Sequence, residues 1–301
     1  MKKHFLIIGI ALVLLIVYLC ACNETDQTSD DQQYNWSTMT DGPYRDKVSF
    51  ATSTDLLTWA DSEEILAEHA SVPGAVYKDG IIYVYFVDVS EDGEPEQTGL
   101  IRSEDNGQTW LSKEHVIYEG IGDKVPVDPA PFLLDDGRIR LYYFDINEER
   151  TSDDPERTNK IYSAVSTDGI NFVQEDGIRF SKHGIYDPDV IEVNGVWRMY
   201  VGDIDGNMVI SAISSDGLNF VEEGIAYSGG AVPDVFFKDG TYYLYVAGID
   251  IATSQDGVSF SKTAYSFQSQ LGGVTADPSV IELNDGTYII LYKTKELSYI
   301  K

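Results

Sequence analysis

Five segments of the chain place a proline at the start of a predicted strand, and in four of them an aspartate lies beside that proline. These proline segments are Ser71-Val72-Pro73-Gly74, Val127-Asp128-Pro129, Tyr186-Asp187-Pro188-Asp189, Val232-Pro233-Asp234 and Ala276-Asp277-Pro278. Proline fixes φ and has no N–H, so it suits the first residue of a strand. A carboxyl group beside such a rigid residue can be aimed in one direction. If several of these carboxyls converge, one can donate a proton while another accepts one or attacks.

Each proline segment leads into a hairpin pattern, which is what would hold the carboxyls in place. An Asp-Gly or Asn-Gly pair separates two runs rich in β-branched and aromatic residues, and this is a strong hairpin signal. The five turns are Asp79-Gly80, Asp136-Gly137, Asn194-Gly195, Asp239-Gly240 and Asp285-Gly286. Apart from a short turn at residues 62–68, no helical period follows residue 36. The sequence therefore predicts an all-β chain.

A second motif also recurs five times and consists of Ser-x-Asp followed by an aromatic residue. Its copies span residues 53–59, 103–110, 166–172, 214–220 and 254–260. An aspartate in a turn can accept bonds from backbone N–H groups two residues on, and glycine supplies a positive φ without steric cost. These segments are Asp-box-like turns, and we assign them a structural rather than a catalytic role.

The two motifs alternate at intervals of about 45 to 60 residues, which is typical of propeller blades with four strands each. The chain begins with an outer strand pair at residues 47–59 and stops soon after an inner pair at residues 280–292. One blade is therefore expected to contain strands from both termini, which closes the ring and leaves no exposed sheet edge. The sequence predicts a five-bladed β-propeller over residues 41–301.

The N-terminal segment has the pattern of an export signal. Lys2 and Lys3 precede an apolar run at residues 5–19, as in a secretory signal. The sequence Leu19-Cys20-Ala21-Cys22 resembles the bacterial lipobox, which implies cleavage of residues 1–21 and a lipid on Cys22. An uncleaved anchor helix is the alternative, although the run is shorter than the roughly 20 residues that span a bilayer. Residues 22–40 are polar and are predicted to form a flexible linker. We expect an extracytoplasmic chain that is lipid-anchored to a membrane.

Composition narrows the set of partners. Fifty acidic and 21 basic residues give a formal charge of −29, which repels nucleic acid. Both cysteines, Cys20 and Cys22, lie in the lipobox-like sequence before the propeller, so the propeller is predicted to have no disulfide. No cofactor is expected, although calcium remains an alternative at the acidic segments 91–96 and 148–154. Those segments lack the spacing of a calcium loop and suit solvated insertions instead. We expect a monomer.

The proline segments, together with residues 51–59, resemble the five-bladed glycoside-hydrolase superfamily, which includes arabinanases, β-xylosidases and levanase relatives. The resemblance covers roughly residues 40–295 and implies carboxyls from the first, third and fourth blades placed across a glycosidic bond. If the blade shared by the termini is the first, these are Asp277, Asp128 and Asp187. Asp187 would then be the general acid and Asp277 the base or nucleophile. Counting from the Ser71 hairpin instead gives Pro73, Asp187 and Val232, which cannot work.

The sequence departs from that superfamily in one respect that bears on activity. No proline segment contains the glutamate that usually serves as its general acid. Three functions therefore stay open: a surface glycosidase or phosphorylase, a non-catalytic sugar-binding lipoprotein, and a scaffold for another surface protein. Asp189, Asp234 and the ring of Tyr186 are the predicted substrate-binding groups. On the alternative interpretation, the aspartates cap turns or bind channel water, and His183 lies in a surface loop.

Overall fold

The computed structural model describes residue 39 and residues 42–89, 95–151, 158–203 and 205–295. Within this part of the chain, five β-sheets follow one another in a ring. The predicted all-β, five-bladed propeller is therefore confirmed. The predicted signal at residues 1–21, Cys22 and almost all of the linker lie outside the described residues. Among the residues described, no helix has the length and apolarity to cross a membrane.

The described chain contains short helices only at Gly42–Tyr44 (3₁₀) and Ile146–Thr151 (α1). Its strands, in chain order, are β1 (Asp46–Ser53), β2 (Ala60–Glu68), β3 (Ala70–Lys78), β4 (Ile81–Asp88), β5 (Gln97–Ser103), β6 (Glu114–His115), β7 (Ile117–Glu119), β8 (Pro126–Leu133), β9 (Ile139–Asp145), β10 (Asn159–Ser166), β11 (Asn171–Gln174), β12 (Phe180–Lys182), β13 (Ile185–Val193), β14 (Val196–Asp203), β15 (Met208–Ser214), β16 (Val221–Tyr227), β17 (Asp234–Lys238), β18 (Thr241–Val246), β19 (Asp250–Ser254), β20 (Ser261–Ser266), β21 (Val274–Glu282) and β22 (Tyr288–Lys295).

Blade A joins the two ends of the chain, as predicted. Its strands follow the order β21-β22-β1-β2. Strand β1 pairs with β22 along its whole length, from Asp46 opposite Lys295 to Ser53 opposite Tyr288. These hydrogen bonds close the ring and leave no gap between the first strand and the last.

The remaining blades follow in chain order. Blade B contains β3–β6, blade D contains β13–β16 and blade E contains β17–β20. Blade C is larger than the four strands predicted, because β7 adds to β11 as a parallel edge strand and β12 pairs with β10. Since β7 comes from the connection that leaves blade B, it also ties blade B to blade C.

The sequence interpretation was wrong at residues 62–68, which form most of strand β2 rather than a short turn. The segment is held by β1: Ser62 Oγ donates to the carbonyl of Phe50 at 2.7 Å, and Ser49 Oγ donates to the carbonyl of Glu64 at 2.6 Å. Tertiary pairing thus outweighs the weak local preference of an acidic run for strand.

Four of the five Ser-x-Asp turns share one hydrogen-bond pattern, and in the longer turn of blade B the Asp105 carboxylate accepts the N–H of Thr109 instead. In blade D, Asp216 Oδ1 accepts the backbone N–H groups of Leu218 at 2.8 Å and Asn219 at 2.9 Å. Ser214 Oγ donates to the same oxygen at 2.8 Å. The Asn219 side chain and these groups hold the pKa of Asp216 well below its usual range. The turn carboxylates are therefore engaged by their own turns, which agrees with a structural role.

Buried tyrosines connect neighbouring blades. The hydroxyls of Tyr85, Tyr142, Tyr200 and Tyr245 each donate to a carbonyl in the Ser-x-Asp turn of the next blade, at 2.7–2.9 Å. In blade A the corresponding residue, five positions after the hairpin glycine, is Leu291. The step from blade A to blade B lacks this tyrosine bond, and the polar contacts near the axis described below connect those two blades instead.

Candidate active site

The innermost strands of all five blades line one cavity of about 410 Å³ on the propeller axis. Every proline segment contributes its proline and both neighbouring residues. The residues that precede proline are Val72, Asp128, Asp187, Val232 and Asp277, and those that follow it are Gly74, Ala130, Asp189, Asp234 and Ser279. We call this cavity the axial pit. Its lining thus repeats around the axis in two layers of five residues.

The backbone at the proline segments explains how the pit acquires its carboxyls. In every blade the residue before proline has a positive φ, between 48° and 59°. In four blades the inner strand pair also shifts register across this point. Such bulges redirect side chains and are common beside active sites. A β-branched valine with positive φ is a rare and strained conformation, so Val72 and Val232 indicate that the shape is imposed by the ring rather than by local preference.

The three predicted catalytic aspartates come together in the axial pit. Asp128, Asp187 and Asp277 belong to blades C, D and A and line the same cavity. Burial raises the pKa of Asp187 well above its usual range, and the negative charges of Asp128 and Asp277 raise it further. The environment of Asp187 therefore favours its protonated form.

Asp277 has a different neighbour. Its Oδ2 lies 2.8 Å from Nζ of Lys293, and the Asp277 side chain is only 5% exposed. Although burial opposes the charge of Lys293, the carboxylates of Asp277, Asp46 and Asp187 outweigh it and raise the lysine pKa. The lysine is thus a fixed cation. One carboxyl of the pit faces other carboxyls and another faces a cation, which is the arrangement that separates an acid from a base.

The layer after the prolines bonds one blade to the next. Asp189 Oδ2 accepts the N–H of Val235 at 2.8 Å, and Asp234 Oδ2 accepts the N–H of Val280 at 3.2 Å. Ser279 Oγ accepts the N–H of Ala75 at 2.9 Å. The predicted substrate-binding residues Asp189 and Asp234 therefore line the pit, and each also has a backbone partner in the next blade.

Burial raises the pKa of Asp189 to about 7, even though backbone N–H groups of Val235 and Val190 stabilise the charged form. Burial also raises the pKa of Asp234 well above its usual range, and the charge of Asp189 adds to the effect. These two neighbouring carboxyls in adjacent blades are thus poorly compatible with two full negative charges.

Between blades B and C the same position is filled by backbone. A Cβ on Gly74 would lie 2.0 Å from the carbonyl oxygen of Pro129 and 2.7 Å from Cδ of Pro131. Pro131 occupies the place where the other blades present an N–H, and proline has none to satisfy. Only glycine fits this contact, and no acceptor is needed there.

Solved structures share this architecture. A thermostable family-43 glycoside hydrolase superposes with a TM-score of 0.59 at 13% identity, over 75% of this chain and 88% of that chain. An endo-1,4-β-xylanase from Bacteroides thetaiotaomicron gives 0.57 at 18% identity, over 73% and 82%. The fold is that of the five-bladed glycoside hydrolases.

A GH32 β-fructofuranosidase from Bombyx mori gives a TM-score of 0.56 at 18% identity, over 73% of this chain and 54% of that chain. The chain thus spans about half the length of that enzyme. No family model and no curated protein matches the sequence. The resemblance inferred from the proline segments is therefore confirmed at the level of the fold.

Several weaker candidates lie away from the pit of this five-bladed propeller. Tyr186 is not among the residues that line the cavity, and its ring meets Phe144 edge-on at 5.4 Å. His183 is exposed. In the acidic segments 91–96 and 148–154, residues 91–94 and 152–154 lie outside the described residues. In the part of the chain that is described, no group of three or more His, Cys, Asp or Glu side chains is arranged to hold a metal ion.

The sequence interpretation missed Lys293, Asp46 and Ser71, which lie next to the predicted aspartates. A signal for Lys293 does exist in the repeat. Seven residues after the hairpin glycine, the other blades contain Val87, Phe144, Gly202 and Ala247, whereas blade A contains Lys293. The other four blades have a small or apolar residue at this repeat position. A lysine there would have indicated that the carboxyl of blade A has a cationic neighbour.

Proposed function

We propose that this propeller cleaves a glycosidic bond in the axial pit, with Asp187 as general acid and Asp277 as base or nucleophile. The observation that carries the proposal is the contrast between their surroundings. Asp187 lies among negative charges that favour its protonated form, while Asp277 is paired with Lys293. Two carboxyl groups whose environments differ in this way are what glycoside hydrolysis requires.

The chemistry follows from these two states. Asp187 donates its proton to the glycosidic oxygen as the bond to the anomeric carbon breaks, so the leaving group departs as an alcohol. As that bond breaks, the Asp277 carboxylate either takes a proton from the water that attacks the anomeric carbon or attacks that carbon itself. In the second case water, deprotonated by Asp187, then hydrolyses the glycosyl ester and frees Asp277. Asp128 contributes a nearby negative charge that raises the pKa of Asp187. Its role is to keep the acid protonated until the sugar arrives.

The pit suits a sugar ring in size and character. Its volume of about 410 Å³ falls in the range of small-molecule sites. Carboxyl groups offer hydrogen bonds to hydroxyls, and Val72, Val232 and the proline rings offer apolar contact to C–H faces. Two proteins of the same fold were solved with sugars, a GH43_1 enzyme from Xanthomonas citri with xylose and a mutant of the Bombyx mori enzyme with sucrose. A pentose or hexose glycoside is therefore the proposed ligand.

The direct test is a panel of nitrophenyl pentosides and hexosides together with plant and fructan oligosaccharides. We expect release of product from at least one of them by the native chain and loss of that activity in Asp277→Asn. Asp239→Asn is a matched control, because Asp239 also has a positive φ of 48° but lies in an exposed hairpin turn. Equal activity of the native chain and Asp277→Asn would refute the assignment of Asp277.

A non-catalytic sugar-binding role is the second candidate, and one observation favours it. The glutamates that line the cavity are Glu192 and Glu282, and both are engaged elsewhere. Glu192 accepts the N–H of Gly195, and Glu282 pairs with Lys238 at 2.6 Å. The acid must then be an aspartate, whose reach is one methylene shorter than that of glutamate. Calorimetric binding of a sugar without any turnover would support this second role, and neither binding nor turnover would exclude both.

We also propose that the propeller is exported and anchored by a lipid on Cys22. The basic start, the apolar run at residues 5–19 and the lipobox-like sequence before Cys22 support this proposal. Cys22→Ala is expected to release the chain from the membrane fraction and to remove incorporation of labelled palmitate. Membrane retention of Cys22→Ala without a lipid would indicate an uncleaved anchor helix instead.

A further inference from the structure

Asp277 belongs to a bridged cluster of four side chains beside the axial pit, and the proposed chemistry assigns a step to none of the other three. Lys293 Nζ lies 2.8 Å from Asp277 Oδ2 and 3.8 Å from Asp46 Oδ2. Ser71 Oγ lies closer to the other carboxylate, at 2.8 Å from Asp46 Oδ2 and 3.5 Å from Asp277 Oδ2. An ammonium group and a hydroxyl thus bridge the same two carboxylate oxygens.

The cluster is assembled by the closure of the ring. Asp46 lies on β1, Ser71 on β3, Asp277 on β21 and Lys293 on β22. Asp46 is 2% exposed and Asp277 is 4% exposed. Two buried carboxylates with shared neighbours cannot both remain charged without a cation, and otherwise they hold one proton between them. Lys293 is in direct contact with both and supplies that cation.

The charges around Asp46 agree with this view. Burial is the largest effect and raises the pKa of Asp46 to about 6. Lys293, the Ser71 hydroxyl and the more distant Lys295 favour its charged form, whereas Asp277 disfavours it. Asp187 faces the same lysine from blade D. Even with Lys293 present, Asp46 takes up a proton at mildly acidic pH, near its pKa of about 6.

We propose that Lys293 is a positioning residue that allows Asp46 and Asp277 to be ionised side by side, so that the pit retains a base. The inference rests on the proposed function, because only there does the charge of Asp277 matter to a reaction. Without the ammonium group, the two carboxyls share a proton through the contact that Ser71 bridges. The pit then holds a shared proton in place of its base, although Asp277 itself is unchanged.

The first test is the pH profile of kcat/KM on any glycoside that the native chain cleaves. For Lys293→Met we expect the acidic limb to move to higher pH by about one unit or more, since a cation within 4–6 Å shifts a carboxyl by about 1–3 units. Lys293→Arg keeps the charge and should keep the native profile. Lys262→Met is a matched surface control, because Lys262 is 56% exposed and pairs with Asp250.

A double variant separates this role from a merely structural one. In Lys293→Met/Asp46→Asn the second carboxylate is gone, so no shared proton is needed and the acidic limb should return toward its native position. If Lys293 only stabilised the structure of blade A, removing Asp46 would not return the acidic limb toward its native position. The proposal is overturned if Lys293→Met has the native profile, or if the folded double variant behaves like Lys293→Met. Circular dichroism establishes that each variant is folded.

A second measurement does not depend on activity. In protein with ¹³C-labelled aspartate carboxyls, the signal of Asp46 is identified by its loss in Asp46→Asn. Lys293 lowers the pKa of Asp46, so in Lys293→Met this signal should titrate clearly above about 6. Titration at the same pH in the native chain and Lys293→Met overturns the inference. If the native chain cleaves no glycoside, the proposed function fails, and this titration still decides the role of Lys293.

Discussion

Asp187→Asn is expected to lower kcat about 10²–10⁴-fold on glycosides whose leaving group is an ordinary alcohol. Such a leaving group needs a proton as the bond breaks, and asparagine cannot supply one. Dinitrophenyl glycosides have leaving groups that depart as stable anions, so the variant should cleave them at a rate much nearer the native rate. The measurement is the ratio of native to variant kcat across a series of leaving groups.

The pH profile of activity gives a second expected difference between the native chain and Asp187→Asn. Burial, Asp128 and Asp277 raise the pKa of Asp187, so the native chain should lose activity only when the pH rises through that high value. In Asp187→Asn this basic limb should be absent on dinitrophenyl substrates. Asp239→Asn serves again as the control that keeps both limbs. Equal losses on all leaving groups would show that Asp187 does not act as the acid.

The parts of the fold that depend on neighbouring residues could be predicted from the sequence. An Asp-Gly pair between two apolar runs specifies a hairpin locally, and a Ser-x-Asp turn satisfies its own backbone groups, as Asp216 shows. Repetition of these units fixes the blade count. Ring order then brings Asp128, Asp187 and Asp277 into one pit, although they lie far apart in the chain.

What could not be predicted depends on contacts between distant segments. Lys293 and Asp46 meet only because β22 pairs with β1, and the sequence shows closure of the ring without showing which side chains meet. The edge strand β7 pairs with β11 in parallel, and hairpin signals predict only antiparallel pairs. Asp189 and Asp234 looked like sugar ligands, and their bonds to the next blade follow from blade spacing rather than from any local pattern.

Asp189→Asn is expected to make the protein clearly more stable at pH 7 and pH 8, less so at pH 5, and to change its stability little only near pH 4 and below. The folded-state pKa of Asp189 is raised to about 7, against about 3.9 for an unfolded aspartate. Between these values the folded chain binds more protons than the unfolded chain, so the free energy of unfolding falls as the pH rises. Ionising this one carboxyl costs up to about 4 kcal/mol, at roughly 1.4 kcal/mol per pH unit.

Asparagine removes that cost and keeps an oxygen that can accept the N–H of Val235. It also removes the charge that raises the pKa of Asp234. Thermal unfolding of the native chain and the variant at pH 4, 5, 6, 7 and 8 should therefore give stabilities that meet near pH 4, separate steadily up to about pH 7 and stay a constant amount apart above it.

Asp256→Asn is a control of opposite sign. Backbone N–H groups of Val258 and Ser259 and the Ser254 hydroxyl lower the pKa of Asp256 to about 2. Its stabilising contribution is therefore fully present above about pH 4 and is lost as the pH falls through about 2. This variant should be less stable than the native chain at both pH 5 and pH 8. If Asp189→Asn likewise lowers stability at both pH values, the bonds that Asp189 makes to the next blade outweigh the cost of its buried charge.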